Sequence, residues 1–246
     1  MSESAENIFN ISNSTATNIT GSGDIYYNAS SQAQAESAAL RKKILFLAAN
    51  PLSTDRLRLD EEIREIEAGL QRSKYRDRFE LKQQWAVRSR DLQRALLDNH
   101  PQIVHFSGHG MGQATTVTTA EATRKITVVG HQLPLEEGLI LEDVSGQPKL
   151  VTTEALAALF ELFNDSVECV ILNACYSERQ AKAIAQHIPY VIGMNQAIGD
   201  RAAIEFSIGF YDALGAGESL QRAYQEGCVS IQMLGTPEYL TPTLIS

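Results

Sequence analysis

The order of apolar and polar residues predicts alternating strands and helices. Residues 42–50, "KKILFLAAN", form a continuous apolar run after two lysines, which is typical of a parallel strand covered on both faces. Leu59, Ile63, Ile66 and Leu70 then recur every three or four positions. That spacing places them on one side of a helix, so a strand followed by a helix is the first predicted unit.

The same alternation continues to residue 234. Further strands are predicted at 79–87, 102–110, 167–175 and 190–194, and further helices at 89–99, 152–163, 178–188, 200–214 and 218–234. Residues 138–152 predict a short hairpin that turns around 145–148, and the Thr-rich segment 111–137 predicts an inserted loop. The repeated strand–helix order implies an α/β fold, a three-layer α/β/α sandwich with a mainly parallel sheet.

Local signals predict where some of these helices begin and end. Ser89 is a predicted N-cap, and either Thr152 or Thr153 is expected to cap a later helix. Gly215 and Gly217 are expected to separate the last two helices.

The first 41 residues differ in composition from the rest of the chain. Residues 1–30 are rich in Asn, Ser, Thr and Gly and contain no Lys or Arg, so we expect an arm there, a linker at 31–41 and one domain at 42–246. Scattered isoleucines among asparagines, without proline, favour cross-β assembly, and a homo-oligomer or filament through residues 7–28 is one expectation. A disordered tail is the alternative, since polar Gly-rich segments usually stay unfolded.

Composition narrows the class of protein. The chain has 246 residues, of which 43% are hydrophobic, and a net charge of −9, which argues against a nucleic-acid partner. Three cysteines without a CxxC pair fit a reducing cytosol, and we find neither a leader sequence nor an apolar run long enough to span a membrane. We therefore expect a cytoplasmic protein with no membrane partner. The chain has no Walker sequence and no GxGxxG after a strand, and we expect no cofactor.

Two predicted strands end in residues that could carry chemistry. "QIVHFSGHG" ends near His109, and "VECVILNAC" ends in Cys175, 66 residues further along. An imidazole can accept the proton of a thiol, and the backbone N–H groups of Gly110 and Cys175 could form an oxyanion hole. The alternatives are that His109 is a turn residue and that Cys175 is a small buried apolar residue.

The other histidine of this segment has a different expected role. His105 lies inside the apolar run, and we expect a hydrogen-bonded core residue there. His105 and His109 are four positions apart on a strand, which separates them too widely for a shared metal ion, so no metal site is expected. Cys169 lies in the middle of its strand and is expected to be a small core residue.

Four motifs in order, "HFSGHG", "GLILED", "VILNACYS" and "VIGMNQAIGDRAAIEFSIGFYDAL", resemble the CHAT peptidases of bacteria. These belong to the caspase, separase and gingipain clan of cysteine peptidases, and the resemblance runs from about Lys43 to Leu234. The N-A-C-Y-S sequence and the long His–Cys separation resemble the CHAT and separase branch more than animal caspases. The resemblance implies that His109 is the general acid/base and Cys175 the nucleophile, with no obligatory third member.

The resemblance also implies a candidate for substrate specificity. Separase and gingipain relatives use an acidic residue of the S1 pocket to select a basic P1 side chain, and Asp200 lies in the matching segment. Asp200 could instead be the N-cap of the following helix, and Arg201 beside it leaves an acidic P1 open. Glu142 and Asp143 could face the cleft, although a solvated turn is the preferred interpretation.

The function implied is a cysteine endopeptidase that cleaves a protein substrate in bacterial defence or regulated cell death. A sensor or adaptor protein with a similar N-terminal motif would recruit it through the arm. The alternative is a catalytically silent CHAT-fold scaffold that acts by homotypic assembly. A nucleotide-binding or Toll-like NAD hydrolase would fit the strand–helix order but lacks the phosphate-binding motifs.

Overall fold

A computed structural model of the chain describes residues 41–111 and 137–246. The predicted arm, nearly all of the predicted linker and the interior of the predicted 111–137 loop lie outside these residues. Lys42–Ser246 is one compact unit of the chain. The division into arm, linker and domain stays a prediction.

The described residues form nine strands and six α-helices. The strands are β1 (Lys42–Ala48), β2 (Phe79–Gln84), β3 (Ile103–Ser107), β4 (His109–Met111), β5 (Gly138–Glu142), β6 (Pro148–Thr152), β7 (Cys169–Asn173), β8 (Tyr190–Met194) and β9 (Pro242–Ile245). The helices are α1 (Leu59–Arg72), α2 (Ser89–Asn99), α3 (Thr153–Glu161), α4 (Glu178–Ile184), α5 (Asp200–Ala216) and α6 (Leu220–Met233).

Six strands form the central sheet, in the order β2-β1-β3-β7-β8-β9. The first five run parallel, and β9 pairs with β8 in the antiparallel direction at one edge. The three remaining strands, β4, β5 and β6, form a small antiparallel sheet that begins one residue after β3. The predicted hairpin at 138–152 is therefore confirmed as β5 and β6.

Helices cover the central sheet on both faces. Residues of α2, α3 and α4, such as Leu96, Phe160 and Ile184, share one buried cluster with one set of strand residues. Residues of α1 and α5, such as Ile66 and Phe210, join the strand residues of the opposite face in a second cluster, together with part of α6. The predicted three-layer α/β/α sandwich with a mainly parallel sheet is confirmed.

One predicted helix cap is wrong. Helix α2 begins at Ser89 itself, and its N-cap is Arg88, whose backbone N–H donates to the Asp91 carboxylate at 3.1 Å. Among the described residues the buried Ser89 hydroxyl has no hydrogen-bond partner. Because Ser89 is already helical, its hydroxyl is not placed to accept the N–H groups of the first turn, as the side chain of an extended N-cap residue does.

Other boundaries follow the local signals more closely. The Thr152 hydroxyl accepts the Ala155 N–H at 3.3 Å, which confirms one of the two predicted caps of α3. Gly215 lies inside α5 rather than after it, and Gly217, with φ of 96°, ends the helix. Strand β9 was not predicted.

Candidate active site

The parallel pairing of β3 with β7 brings together the segments that lead to His109 and Cys175. Ser107 and Asn173 are the last residues of the two strands and lie opposite each other in the register. The Gly108 N–H donates to the Asn173 carbonyl at 3.3 Å, which extends the contact past the strand ends. His109 and Cys175 each follow two residues after this last pair.

Gly110 packs directly against the backbone of Cys175. A Cβ atom built on Gly110 would lie 2.1 Å from the Cys175 carbonyl oxygen and 3.3 Å from the Ala174 Cβ. A side chain at position 110 would therefore push β4 away from the thiol-bearing turn. At Gly108 a Cβ atom would meet the Ala49 carbonyl at 2.8 Å, so neither glycine of the motif leaves space for a side chain.

The His109 ring is oriented by the backbone of the loop that follows β1. Its Nε2 lies 2.8 Å from the carbonyl oxygen of Asp55. A carbonyl only accepts, so Nε2 carries the proton, and Nδ1 is the free acceptor of the neutral ring. Burial lowers the pKa of His109 and outweighs the opposing effects of Asp55 and Asp200. The ring is therefore neutral and able to accept a proton near pH 7.

Cys175 lies in the turn between β7 and α4 and is half-buried. Its thiol contacts the Ile198 carbonyl, with an Sγ–O distance of 3.7 Å. Within residues 41–111 and 137–246, no carbonyl accepts the Cys175 N–H.

The two other cysteines have different environments. Cys169 is fully buried in β7, and burial raises its pKa to about 12, as expected of an inert core thiol. Cys228 is half-buried on α6, and burial raises its pKa as well.

Asp200 is the first residue of α5, and Gly199 is the N-cap of that helix. The alternative role of Asp200 as an N-cap is therefore wrong. Its carboxylate accepts the Arg58 N–H at 3.1 Å and lies 3.6 Å from Nε of the same arginine. The charge of Asp200 raises the pKa of His109, so the carboxylate lies within electrostatic range of the imidazole.

Glu142 and Asp143 separate in the structure. The Asp143 carboxylate accepts the N–H groups of Ser145 at 2.7 Å and of Gln147 at 2.9 Å, as predicted for a turn. Glu142 accepts the Asn50 N–H at 3.1 Å. Glu142 also lines a cavity of about 320 Å³ beside the ends of β1 and β2, with Ala48, Asn50, Arg56, Leu57, Leu59, Asp60, Trp85 and Ala86.

A buried carboxylate beneath the site was missed by sequence reasoning. Glu62 of α1 is 2% exposed and is surrounded by polar residues of β3, β7 and α5. His105 is fully buried, as expected, and its Nδ1 lies 3.1 Å from the Tyr211 hydroxyl. The available signal was the position of Glu62, three residues after Leu59 and next to Ile63, on the predicted apolar side of α1.

Neither a metal site nor a membrane-spanning helix is found in the described ranges. No group of three or more His, Cys, Asp or Glu side chains there could hold a metal ion. No helix in the same ranges is long and apolar enough to cross a membrane.

The sequence pattern of the CHAT domain matches residues 11–239. The chain belongs to the CHAT domain family. The match begins earlier and ends later than the predicted range of about Lys43 to Leu234. The resemblance of its motifs to this family is thereby confirmed.

Relatives of this CHAT domain carry protease names. A probable protease of Gillisia limnaea is 24% identical over 202 residues, which is 80% of this chain and 32% of that protein. A Roc-COR-CHAT protease from an unknown prokaryotic organism is 22% identical over 198 residues, or 78% of this chain and 16% of that protein. The chain thus spans about a third and about a sixth of these two relatives.

A solved structure has a similar fold. It is a secreted C11 cysteine protease from Bacteroides thetaiotaomicron in complex with an irreversible peptide inhibitor. The TM-score is 0.52 at 14% identity, with 76% of this chain and 57% of that one covered. At this identity the similarity shows a caspase-like fold.

Replacing Gly110 with alanine should slow the reaction of Cys175 with iodoacetamide by about 100-fold. The new Cβ forces β4, which begins with His109, away from the turn that carries Cys175. The rate is measured by mass spectrometry of the alkylated peptide. Gly69→Ala is the control, because its Cβ would meet only the end of the Asp212 side chain, at 2.5 Å, which can move. Equal rates in wild type and Gly110→Ala would contradict the proposed contact.

Proposed function

We propose that this CHAT domain is a cysteine endopeptidase with His109 as general acid/base and Cys175 as nucleophile. The observation that carries the proposal is the pairing of β3 with β7, which sets the two segments against each other so closely that Gly110 contacts the Cys175 carbonyl. The protease names of the relatives and the caspase-like fold support the same reaction class.

The first step forms a thioester. Nδ1 of His109 accepts the thiol proton, and the Cys175 sulfur attacks the carbonyl carbon of the scissile peptide. The resulting oxyanion is bound by the N–H groups of Cys175 and Gly110. When the tetrahedral intermediate collapses, the C–N bond breaks and the His109 imidazolium gives its proton to the leaving amine.

The second step hydrolyses the thioester. His109, again neutral, accepts a proton from water as the water oxygen attacks the thioester carbonyl. The C–S bond then breaks, the carboxylic acid product is released, and the imidazolium returns its proton to the Cys175 sulfur. The Asp55 carbonyl, 2.8 Å from Nε2, holds the ring in the required tautomer and stabilises the imidazolium in both steps. No cofactor enters the proposed mechanism.

Purified wild-type protein should be labelled by an electrophilic peptide library, and Cys175→Ala should abolish the labelling. His109→Ala should reduce it by about 100-fold or more, since general-base catalysis contributes a factor of that order. Intact-mass spectrometry measures the covalent adduct.

Two variants are matched controls for this experiment. Cys228→Ala removes another half-buried thiol, and His187→Ala removes another histidine, neither of them at the ends of β3 and β7. Both should be labelled as wild type is. Equal labelling of wild type and Cys175→Ala would overturn the peptidase proposal and favour the catalytically silent scaffold.

We propose further that Asp200 selects a basic P1 side chain. The carboxylate already forms an ion pair with the guanidinium of Arg58, at 3.6 Å. A basic P1 side chain that approached more closely could take the place of this arginine. Its side chain is 32% exposed and can be reached from solvent.

Asp200→Asn should therefore lower kcat/KM for arginine at P1 by about 10-fold or more and leave a leucine P1 substrate nearly unchanged. Glu205→Gln is the control, because it also removes one carboxylate from α5, about one and a half turns after Asp200. A uniform loss for all P1 residues would contradict a role in selection.

The biological setting is proposed from sequence alone. We propose that the protein acts in bacterial defence or regulated cell death and that a sensor or adaptor with a similar motif recruits it through residues 7–28. The resemblance to the CHAT peptidases implies the defence setting, and the Asn-rich, proline-free composition of residues 7–28, which favours cross-β stacking, supports the recruitment.

Deleting residues 2–30 should abolish assembly with such a partner, and self-assembly if it occurs, while peptide labelling of Cys175 stays at the wild-type rate. Sedimentation and co-purification measure assembly. Unaltered assembly of the truncated chain would remove the recruitment proposal and leave the peptidase proposal standing.

A further inference from the structure

A buried carboxylate connects the segments that carry the site. Glu62 accepts hydrogen bonds from the Asn173 amide at 2.7 Å and from the Ser207 hydroxyl at 2.7 Å. The Ser107 hydroxyl also donates a hydrogen bond to the Glu62 carboxylate. His105 Nε2 lies 3.1 Å from the carboxylate, at ion-pair distance. All of these side chains are at most 4% exposed.

The hydrogen-bond partners of Glu62 lie next to the residues of the candidate site. Ser107 ends β3, two residues before His109, and Asn173 ends β7, two residues before Cys175. Ser207 belongs to α5, the helix whose first residue is Asp200. Glu62 itself follows the loop that presents the Asp55 carbonyl to His109.

We infer that Glu62 is a positioning residue: its carboxylate holds the ends of β3 and β7 so that His109 and Cys175 meet. This inference rests on the proposed function. In the described part of the chain, neither the His109 imidazole nor the Cys175 thiol is hydrogen-bonded to Glu62, so Glu62 acts through Ser107 and Asn173.

The charge of Glu62 suits this role. Burial raises its pKa, but the 3.1 Å contact with His105 Nε2 and the hydrogen bonds from Ser107 and Ser207 outweigh burial, so that the net shift is downward. The side chain is therefore an ionised acceptor, and charge-assisted hydrogen bonds are shorter and stronger than neutral ones. A buried charge also cannot lose its donors without penalty, which resists any separation of the two strand ends.

Two serines offer a matched test, because each donates a hydroxyl to the same carboxylate. Ser107 is on the strand that leads to His109, whereas Ser207 is on a helix. In the described ranges, Ser207 contacts a strand end only as a 3.3 Å acceptor of the Asn173 amide, which keeps its 2.7 Å hydrogen bond to Glu62 when Ser207 is replaced. If Glu62 acts by positioning, Ser107→Ala should slow alkylation of Cys175 by iodoacetamide about 10-fold. Ser207→Ala should slow it less than about 3-fold, even when both variants lose a similar amount of thermal stability.

The Cys228 thiol is an internal reference in every sample. A change that merely loosens the fold exposes half-buried thiols and should speed alkylation of Cys175 and Cys228 together. A loss of positioning should slow Cys175 alone. When cleavage of a peptide substrate is measured, Ser107→Ala should have a lower kcat than wild type. Its KM should stay within about 2-fold of the wild-type value, since substrate binding is not altered.

Glu62→Gln tests the charge itself, with the exposed Glu67→Gln of the same helix as control. We expect the Glu62 variant to lose at least as much Cys175 reactivity as Ser107→Ala, and the Glu67 variant to match wild type. If Glu62→Gln does not fold, the serine pair still decides the matter.

The outcomes separate this inference from the proposed function. Equal slowing in Ser107→Ala and Ser207→Ala, or no slowing in either, would overturn the positioning role and leave the peptidase proposal intact. A wild-type Cys175 that reacts no faster than Cys228 would instead overturn the peptidase proposal.

Discussion

The backbone ladder between β3 and β7 is the contact on which the rest of the site depends. Both strands are buried along their whole length, so their register is held by packing on both faces as well as by hydrogen bonds. A shift of one residue would move the strand ends by about 3.3 Å and turn every side chain to the opposite face. Ser107 would then no longer lie opposite Asn173, and the segments that lead to His109 and Cys175 would lose their alignment.

The buried polar cluster at this junction is costly for stability. An ionised carboxylate inside the protein carries a desolvation penalty that hydrogen bonds only partly offset, and apolar residues of similar volume are often as stable or more so. Asn173 also has a buried amide oxygen with no partner among the described residues. A cluster of this kind between a helix layer and the sheet is more easily explained by the demands of the site than by stability.

The strand–helix repeat was predictable because its signals are local and periodic. An apolar run such as residues 42–50 and a stripe such as Leu59 to Leu70 are each contained in one element. The pairing of β3 with β7, which are 62 or more residues apart in the chain, was not contained in any local pattern. The prediction that His109 and Cys175 act together came from family resemblance. Strand β9 is four residues long and begins with proline, which leaves too little alternation to detect.

The proposed nucleophile and the proposed base depend on different parts of the fold. Cys175 follows a central strand, but the tautomer of His109 is set by the Asp55 carbonyl, which lies in the loop between β1 and α1. That loop is tied to the β5–β6 turn, where the Leu52 N–H donates to the Gly146 carbonyl at 2.9 Å, and to α5 through Arg58 and Asp200. Loops open at lower free energy than buried strands. A movement of the hairpin can therefore alter the orientation of the imidazole, whereas a movement of α5 also reaches the thiol, which contacts the Ile198 carbonyl two residues before that helix.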